Sequence, residues 1–191
     1  PPNGGNNQYN AGFAWDNDNG WMWITQWNNP YRLVAIDPSD DYSEVAAFNA
    51  PGGCMGADYY DGVIYVVNWS NNHLFRFNAD GENLGNLNMP FRPTAITFDQ
   101  EQGWMFVMHA DDRGIYVFDM ENDMEQIGRI VRDSWYNLTQ NQWSRSMEWV
   151  EAHDDGKLWL NTRSNNGWNL IWQLAVDEDE WVCTEVVQTW N

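Results

Sequence analysis

Four times the chain sets a glycine ahead of a short apolar run whose third residue is aromatic: "GWMWITQW" from Gly20, "GVIYVVNW" from Gly62, "GWMFVMHA" from Gly103 and "GKLWLNTR" from Gly156. These glycines stand 42, 41 and 53 residues apart, the last interval carrying an insert. Ahead of each lies a short run ending in acid: "GFAWD", "ADYYD", "AITFD" and "MEWVE". Behind each comes a third run ("YRLVAID", "HLFRFNAD", "GIYVFD", "LIWQLAVD") and a fourth ("SEVAAFNAP", "ENLGNLNMP", "MEQIGRI", "WVCTEVV"). Short apolar and aromatic runs bounded by Gly, Asn and Asp turns are strands. A unit of four short strands cannot bury its apolar faces alone, so copies of it must stack on one another.

This period and strand count predict an all-β fold, a β-propeller built of four four-stranded antiparallel blades. The blades fall at about residues 11–53, 54–92, 93–135 and 136–191, after an N-terminal extension over residues 1–10. Four blades lie at the low end of the propeller range, so the ring either closes on itself or belongs to a larger ring or assembly. Three residues after each glycine stand Trp23, Tyr65, Phe106 and Trp159. The flanking columns, Met22/Ile64/Met105/Leu158 and Ile24/Val66/Val107/Leu160, are apolar throughout. A strand apolar on both faces is sandwiched between neighbours, so the aromatic column is expected in the core.

The unit, a hydrophobic second strand after a turn glycine and a third strand closing on aspartate, resembles the blades of bacterial β-propeller repeat proteins of the NHL, YVTN and lactonase-like groups. The resemblance covers about residues 11–190 and is to propellers of the secreted kind. It implies the fold and leaves function open, since such propellers bind, scaffold and catalyse. Calcium-dependent lactonases of this kind use acidic and amide side chains around a central channel. That resemblance directs attention to Asp58 and Glu148, set in one first-strand column with Phe13 and Ile96. They are the candidates for a metal, calcium being the ion implied, or for a catalytic acid.

Charge narrows the partners. With 28 acids against nine Lys and Arg, the net charge is −19, and Lys157 is the only lysine. Such a surface cannot neutralise phosphates, so nucleic acid and anionic membranes are excluded as partners. No apolar run approaches the roughly 20 residues that span a bilayer, which excludes insertion by a helix. The opening "PPNGGNNQYN" reads as a mature or trimmed form whose signal peptide is already gone, in keeping with an extracellular or cell-surface setting. Cys54 and Cys183 fall on different strands of non-adjacent repeats, which argues against a disulfide. The triplets "NWS" at Asn68 and "NLT" at Asn137 would be exposed glycosylation acceptors in a compartment that glycosylates.

The repeated acids have a structural reading. Asp16, Asp61, Asp99 and Glu151 occupy one slot, and Asp37, Asp80, Asp119 and Asp177 another. A short acid at a strand end accepts hydrogen bonds from turn N–H groups, and each blade needs such turns. "DNDNG" over 16–20 lacks the spacing of a calcium loop and reads as a tight hairpin.

Seven residues after each glycine the column reads Trp27, Trp69, Ala110, Arg163, so architecture does not dictate it. The second-to-third and blade-to-blade loops open on one face, which gathers Trp27, Asn28, Asn29, Trp69, Asn71, Asn72, Asp112, Arg163 and Asn165, with Trp143 from the insert. Aromatic rings beside amides suit sugars, the ring packing on C–H groups while Asn holds hydroxyls, and they equally suit a protein partner. The expectation is a non-catalytic module binding glycan or protein. A self-associating structural subunit of an extracellular assembly and a metal-dependent hydrolase are the alternatives. Asn in such loops also serves turn chemistry alone.

Overall fold

The fold is that of a computed structural model describing residues 10–27, 29–131, 144–163 and 169–190. The chain divides into two compact units, residues 1–93 and 94–191, each carrying two four-stranded antiparallel sheets. It is therefore an all-β protein of four propeller blades, as the repeat predicts.

In the first unit, β1 (Asn10–Asp16), β2 (Trp21–Gln26), β3 (Arg32–Asp37) and β4 (Ser43–Asn49) pair in sequence order. Strands β5 (Cys54–Tyr60), β6 (Val63–Asn68), β7 (His73–Phe77) and β8 (Asn83–Asn88) do the same. One face of the first sheet meets the second: Trp23, Leu33 and Ala35 pack with Tyr59, Ile64, Val66, Phe75 and Phe77 in one buried cluster. Trp23 has no exposed surface. Truncating such a residue to Ala costs about 3–5 kcal/mol in a packed core. Gly12 is what lets β1 come this close to β5, since a Cβ there would lie 2.2 Å from the carbonyl oxygen of Met55.

The second unit repeats the scheme with β9 (Pro93–Asp99), β10 (Trp104–His109), β11 (Ile115–Asp119) and β12 (Glu125–Ile130). Its other sheet holds β13 (Ser144–Trp149), β14 (Leu158–Arg163), β15 (Asn169–Asp177) and β16 (Val182–Trp190). Phe106 stacks on Trp149 with ring centroids 4.7 Å apart, inside a cluster that includes Val117, Leu158, Leu160 and Leu174. The aromatic column is thus core at Trp23, Tyr65 and Phe106, whereas Trp159 is only half-buried, beside His153.

The turn acids divide where one role was expected. Asp16 and Asp99 accept the amide N–H groups two and three residues on, and Asp37, Asp119 and Asp177 accept turn N–H groups likewise. Asp61 instead forms a two-residue turn with Gly62, both at positive φ (48° and 77°), between the paired Tyr60 and Val63. Positive φ at both central positions is the hairpin turn that Asp-Gly favours. In the β7–β8 turn Asn78, not Asp80, accepts the bond, from the Glu82 amide. Glu151 accepts from the Trp149 indole and pairs with Lys157.

The short Asp61–Gly62 turn also corrects the first-strand column. Asp58 faces Tyr65 and Glu148 faces Trp159, but Trp23 faces Ala14, while Phe13 pairs with Ile24. Counting back from the acid misplaces blade 1 by one residue, because Asp16 lies within its strand and Asp61 lies in its turn. A slip of one changes the face.

Candidate functional site

Antiparallel order puts the β1–β2 and β3–β4 turns at one end of the first unit and the β2–β3 and sheet-to-sheet loops at the other. The second set is tied together by backbone bonds: Ala50 N–H to Tyr31 C=O at 3.0 Å, Trp69 N–H to Gly53 C=O at 3.0 Å, and Met89 N–H to Asn72 C=O at 2.8 Å. Trp27 leaves β2 and Trp69 leaves β6 at this end, and their rings meet with centroids 6.3 Å apart and planes at 55°. Both are half-buried. The guanidinium carbon of Arg92 lies 5.0 Å from the centroid of the Trp69 ring, a cation–π distance. Trp69 therefore backs Trp27, with part of its own ring occupied by Arg92.

Asn29 and Asn71 are exposed here. Asn72 is exposed with φ of 59°, so turn geometry accounts for its presence. Asn28 lies outside the described residues. Tyr31, Arg92 and Gly52 belong to this end and were not anticipated. The signal for them was the acid-free character of their segments. Residues 27–31, 50–53, 69–72 and 89–92 contain no Asp or Glu. Of the ten acids in residues 1–93, eight sit at the opposite end: Asp16 and Asp18 at the first turn, Asp37, Asp40 and Asp41 at the second, Asp61 at the third, Asp80 and Glu82 at the fourth.

Asn68 overturns one expectation. Its side chain has no exposed surface. Nδ2 donates to Gly52 C=O at 2.9 Å and to Cys54 Sγ at 3.7 Å, while Oδ1 accepts the amides of Ser70 and Asn71. It is a loop pin rather than an exposed glycosylation acceptor. Asn137 lies outside the described residues. Cys54 and Cys183 are both free and buried, and burial pushes the Cys54 thiol up to about 12 and that of Cys183 up to about 11.

In the second unit Asp112 is held by its neighbours. It accepts from the Tyr116 hydroxyl at 2.7 Å, from Arg129 at 2.8 Å and from the Gly114 amide at 2.9 Å. Desolvation raises its carboxyl, but these bonds and the charge of Arg129 outweigh it and hold the group below the usual range. His109 Nδ1 accepts the Asp111 amide at 2.9 Å, which places the proton of the neutral ring on Nε2. Arg163 closes β14 by its backbone, and Trp143 and Asn165 lie outside the described residues.

The two metal candidates stand in different units, Asp58 buried on β5 and Glu148 on β13. Among the described residues no three His, Cys, Asp or Glu side chains group as metal ligands. Glu148 keeps accessible surface yet stands in a crowded surround, and the resulting desolvation pushes its carboxyl up to about 7.

No protein-family model matches the chain, and no curated protein matches it in sequence. Solved structures do. Glutaminyl cyclase of Myxococcus xanthus superposes with a TM-score of 0.64 at 12% identity, over 81% of this chain and 68% of that one. Hydrazine synthase of Kuenenia stuttgartiensis gives 0.61 at 14% identity, over 97% and 51%. The Pan2 WD40 domain of Neurospora crassa gives 0.54 at 10% identity, over 96% and 50%. The chain thus spans about half the length of the last two, and at such identities the likeness supports the β-propeller fold alone.

Proposed function

We propose that this chain is a secreted, non-catalytic β-propeller module that binds a glycan or a protein through the aromatic and amide loop end of its first unit. The observation that carries the reading is the meeting of Trp27 and Trp69 from successive blades at an end free of carboxylates. Half-exposed rings and exposed amides in a hydrogen-bonded loop frame are what a preformed recognition surface needs. An NHL, YVTN or lactonase-like blade type and an extracellular or cell-surface setting belong to the same reading, supported by the repeat pattern and the acidic, lysine-poor composition. The test is Trp27→Ala, measured on a glycan array and against a panel of purified extracellular proteins. At least a tenfold loss of binding is expected with unfolding temperature preserved, and unchanged binding on both panels would remove the assignment.

A second reading, a structural subunit of an extracellular assembly, has one observation in its favour. Phe13 and Trp15, side by side on one face of β1, are each 46% exposed. Covering such surface with a second copy would remove apolar area from water. Molar mass rising with concentration, and falling back in Trp15→Ser, is the result that reading requires.

A further inference from the structure

We infer that the loop end of the first unit takes an uncharged saccharide, with Tyr31 carrying the ring face; this rests on the binding-module reading above. Charge makes the first selection. The chain carries −19, yet the four loop segments of this end hold no carboxylate. A cationic ligand would be drawn to the opposite, acidic end of the unit, and a polyanion would be repelled by the chain as a whole. The one cation described at the Trp27–Trp69 pair, Arg92, is engaged over the Trp69 ring. An uncharged ligand is the class to which neither field objects.

Geometry makes the second selection. Tyr31 is 38% exposed, and its ring lies close against Gly52. A Cβ on Gly52 would stand 2.9 Å from Cε2 and 3.2 Å from Cζ of that ring. Glycine thus clears the space in which the ring is seated, and the Ala50 amide holds the Tyr31 carbonyl. A ring supported in this way and still exposed is a fixed platform, with little side-chain entropy left to lose on binding. Exposed amides at Asn29 and Asn71 supply donors and acceptors for hydroxyls. A flat apolar face on the same loop end as neutral hydrogen-bonding groups matches a sugar ring, whose C–H face is apolar and whose rim is hydroxylated.

The test uses the full chain on an array of neutral and acidic glycans, followed by calorimetry with each neutral oligosaccharide that binds and with polygalacturonate as the anionic control. We expect binding to at least one neutral oligosaccharide, with Kd changing less than about twofold between ~0.05 and ~0.5 M NaCl. Tyr31→Ala should weaken it about tenfold or more, and Tyr31→Phe should keep it, since the ring and not the hydroxyl is used. Binding confined to polygalacturonate, no neutral glycan bound, or a Kd indifferent to Tyr31→Ala would each overturn the inference. A protein ligand sensitive to Trp27→Ala, found where no saccharide binds, would sink this inference and leave the binding-module reading standing. Failure on both panels would remove both.

Discussion

The side chain of Asn68 makes four hydrogen bonds from a position without exposed surface, so its removal leaves the Ser70 and Asn71 amides without their acceptor. Each such intramolecular bond contributes about 0.5–1.5 kcal/mol net, and several are lost together. Asn68→Ala should therefore lower the urea-unfolding free energy by about 2 kcal/mol, and peptide mapping after expression in a glycosylating host should find Asn68 unmodified. A glycan on folded protein would contradict the burial. Glu148 supplies a residue-scale pH effect. Its carboxyl is raised to about 7, so between about pH 4.5 and 7 the folded chain binds a proton that the unfolded chain releases. The stability it contributes is thus complete below its unfolded pKa and is lost as pH rises through 7. Because the side chain keeps accessible surface, we discount the effect to about 1 kcal/mol. Against wild type, Glu148→Gln should gain about that much at pH 8 relative to pH 5 in urea titrations. A pH-independent difference between the two proteins would refute the shift.

At the scale of the elements, the repeat was legible because each blade needs the same strand pattern. "GWMWITQW" and its three relatives are the second strands β2, β6, β10 and β14, and the runs around them are the remaining twelve. What the pattern could not show was register. Asp16 and Asp61 look equivalent in sequence, yet a four-residue turn follows one and the other is itself in a two-residue turn, which shifts the facing column. Nor could it show that a loop asparagine such as Asn68 turns inward, because the acceptor that holds it, Gly52 C=O, lies 16 residues away. The candidate site was half legible for a similar reason. Trp27 and Trp69 stood out as a column, whereas Tyr31 and Arg92 occupy loop positions with no repeat to mark them. Packing between elements offers its own test at Gly12, where even one methyl would meet the backbone of β5. Overpacking of this kind costs about 1–3 kcal/mol when the neighbour can move aside, and a backbone carbonyl has little freedom to do so. Gly12→Ala should lose at least about 2 kcal/mol in urea unfolding, while Gly20→Ala, with open space around it but φ of 69°, should lose only about 1. Equal losses would mean that close approach of β1 to β5 is not what Gly12 provides.

For the molecule as a whole, charge sets the response to salt. Among the described residues, the local ion pairs Arg32–Glu44, Arg129–Asp112, Lys157–Glu151 and Lys157–Glu178 favour the folded chain, and salt weakens them. Each is partly exposed and contributes no more than about 1 kcal/mol. Against them stands the self-repulsion of 28 acids facing nine Lys and Arg, which folding concentrates into a smaller volume. In the first unit the repulsion is sharpened, since eight of its ten acids crowd at one end. From about 0.02 to about 0.5 M NaCl the Debye length falls from roughly 20 Å to roughly 4 Å, which screens the long-range repulsion far more than contacts near 3 Å. Tm should therefore rise by several degrees over that range at pH 7. The rise should shrink as pH falls toward 4 and the carboxylates that are not held below their usual range become protonated. Among the described residues, the groups that resist include Asp37, Asp112, Asp119 and Glu151, whose hydrogen bonds keep them ionised to lower pH. A Tm that falls with salt at pH 7 would place the balance with the local ion pairs and against the distribution of charge described for the first unit.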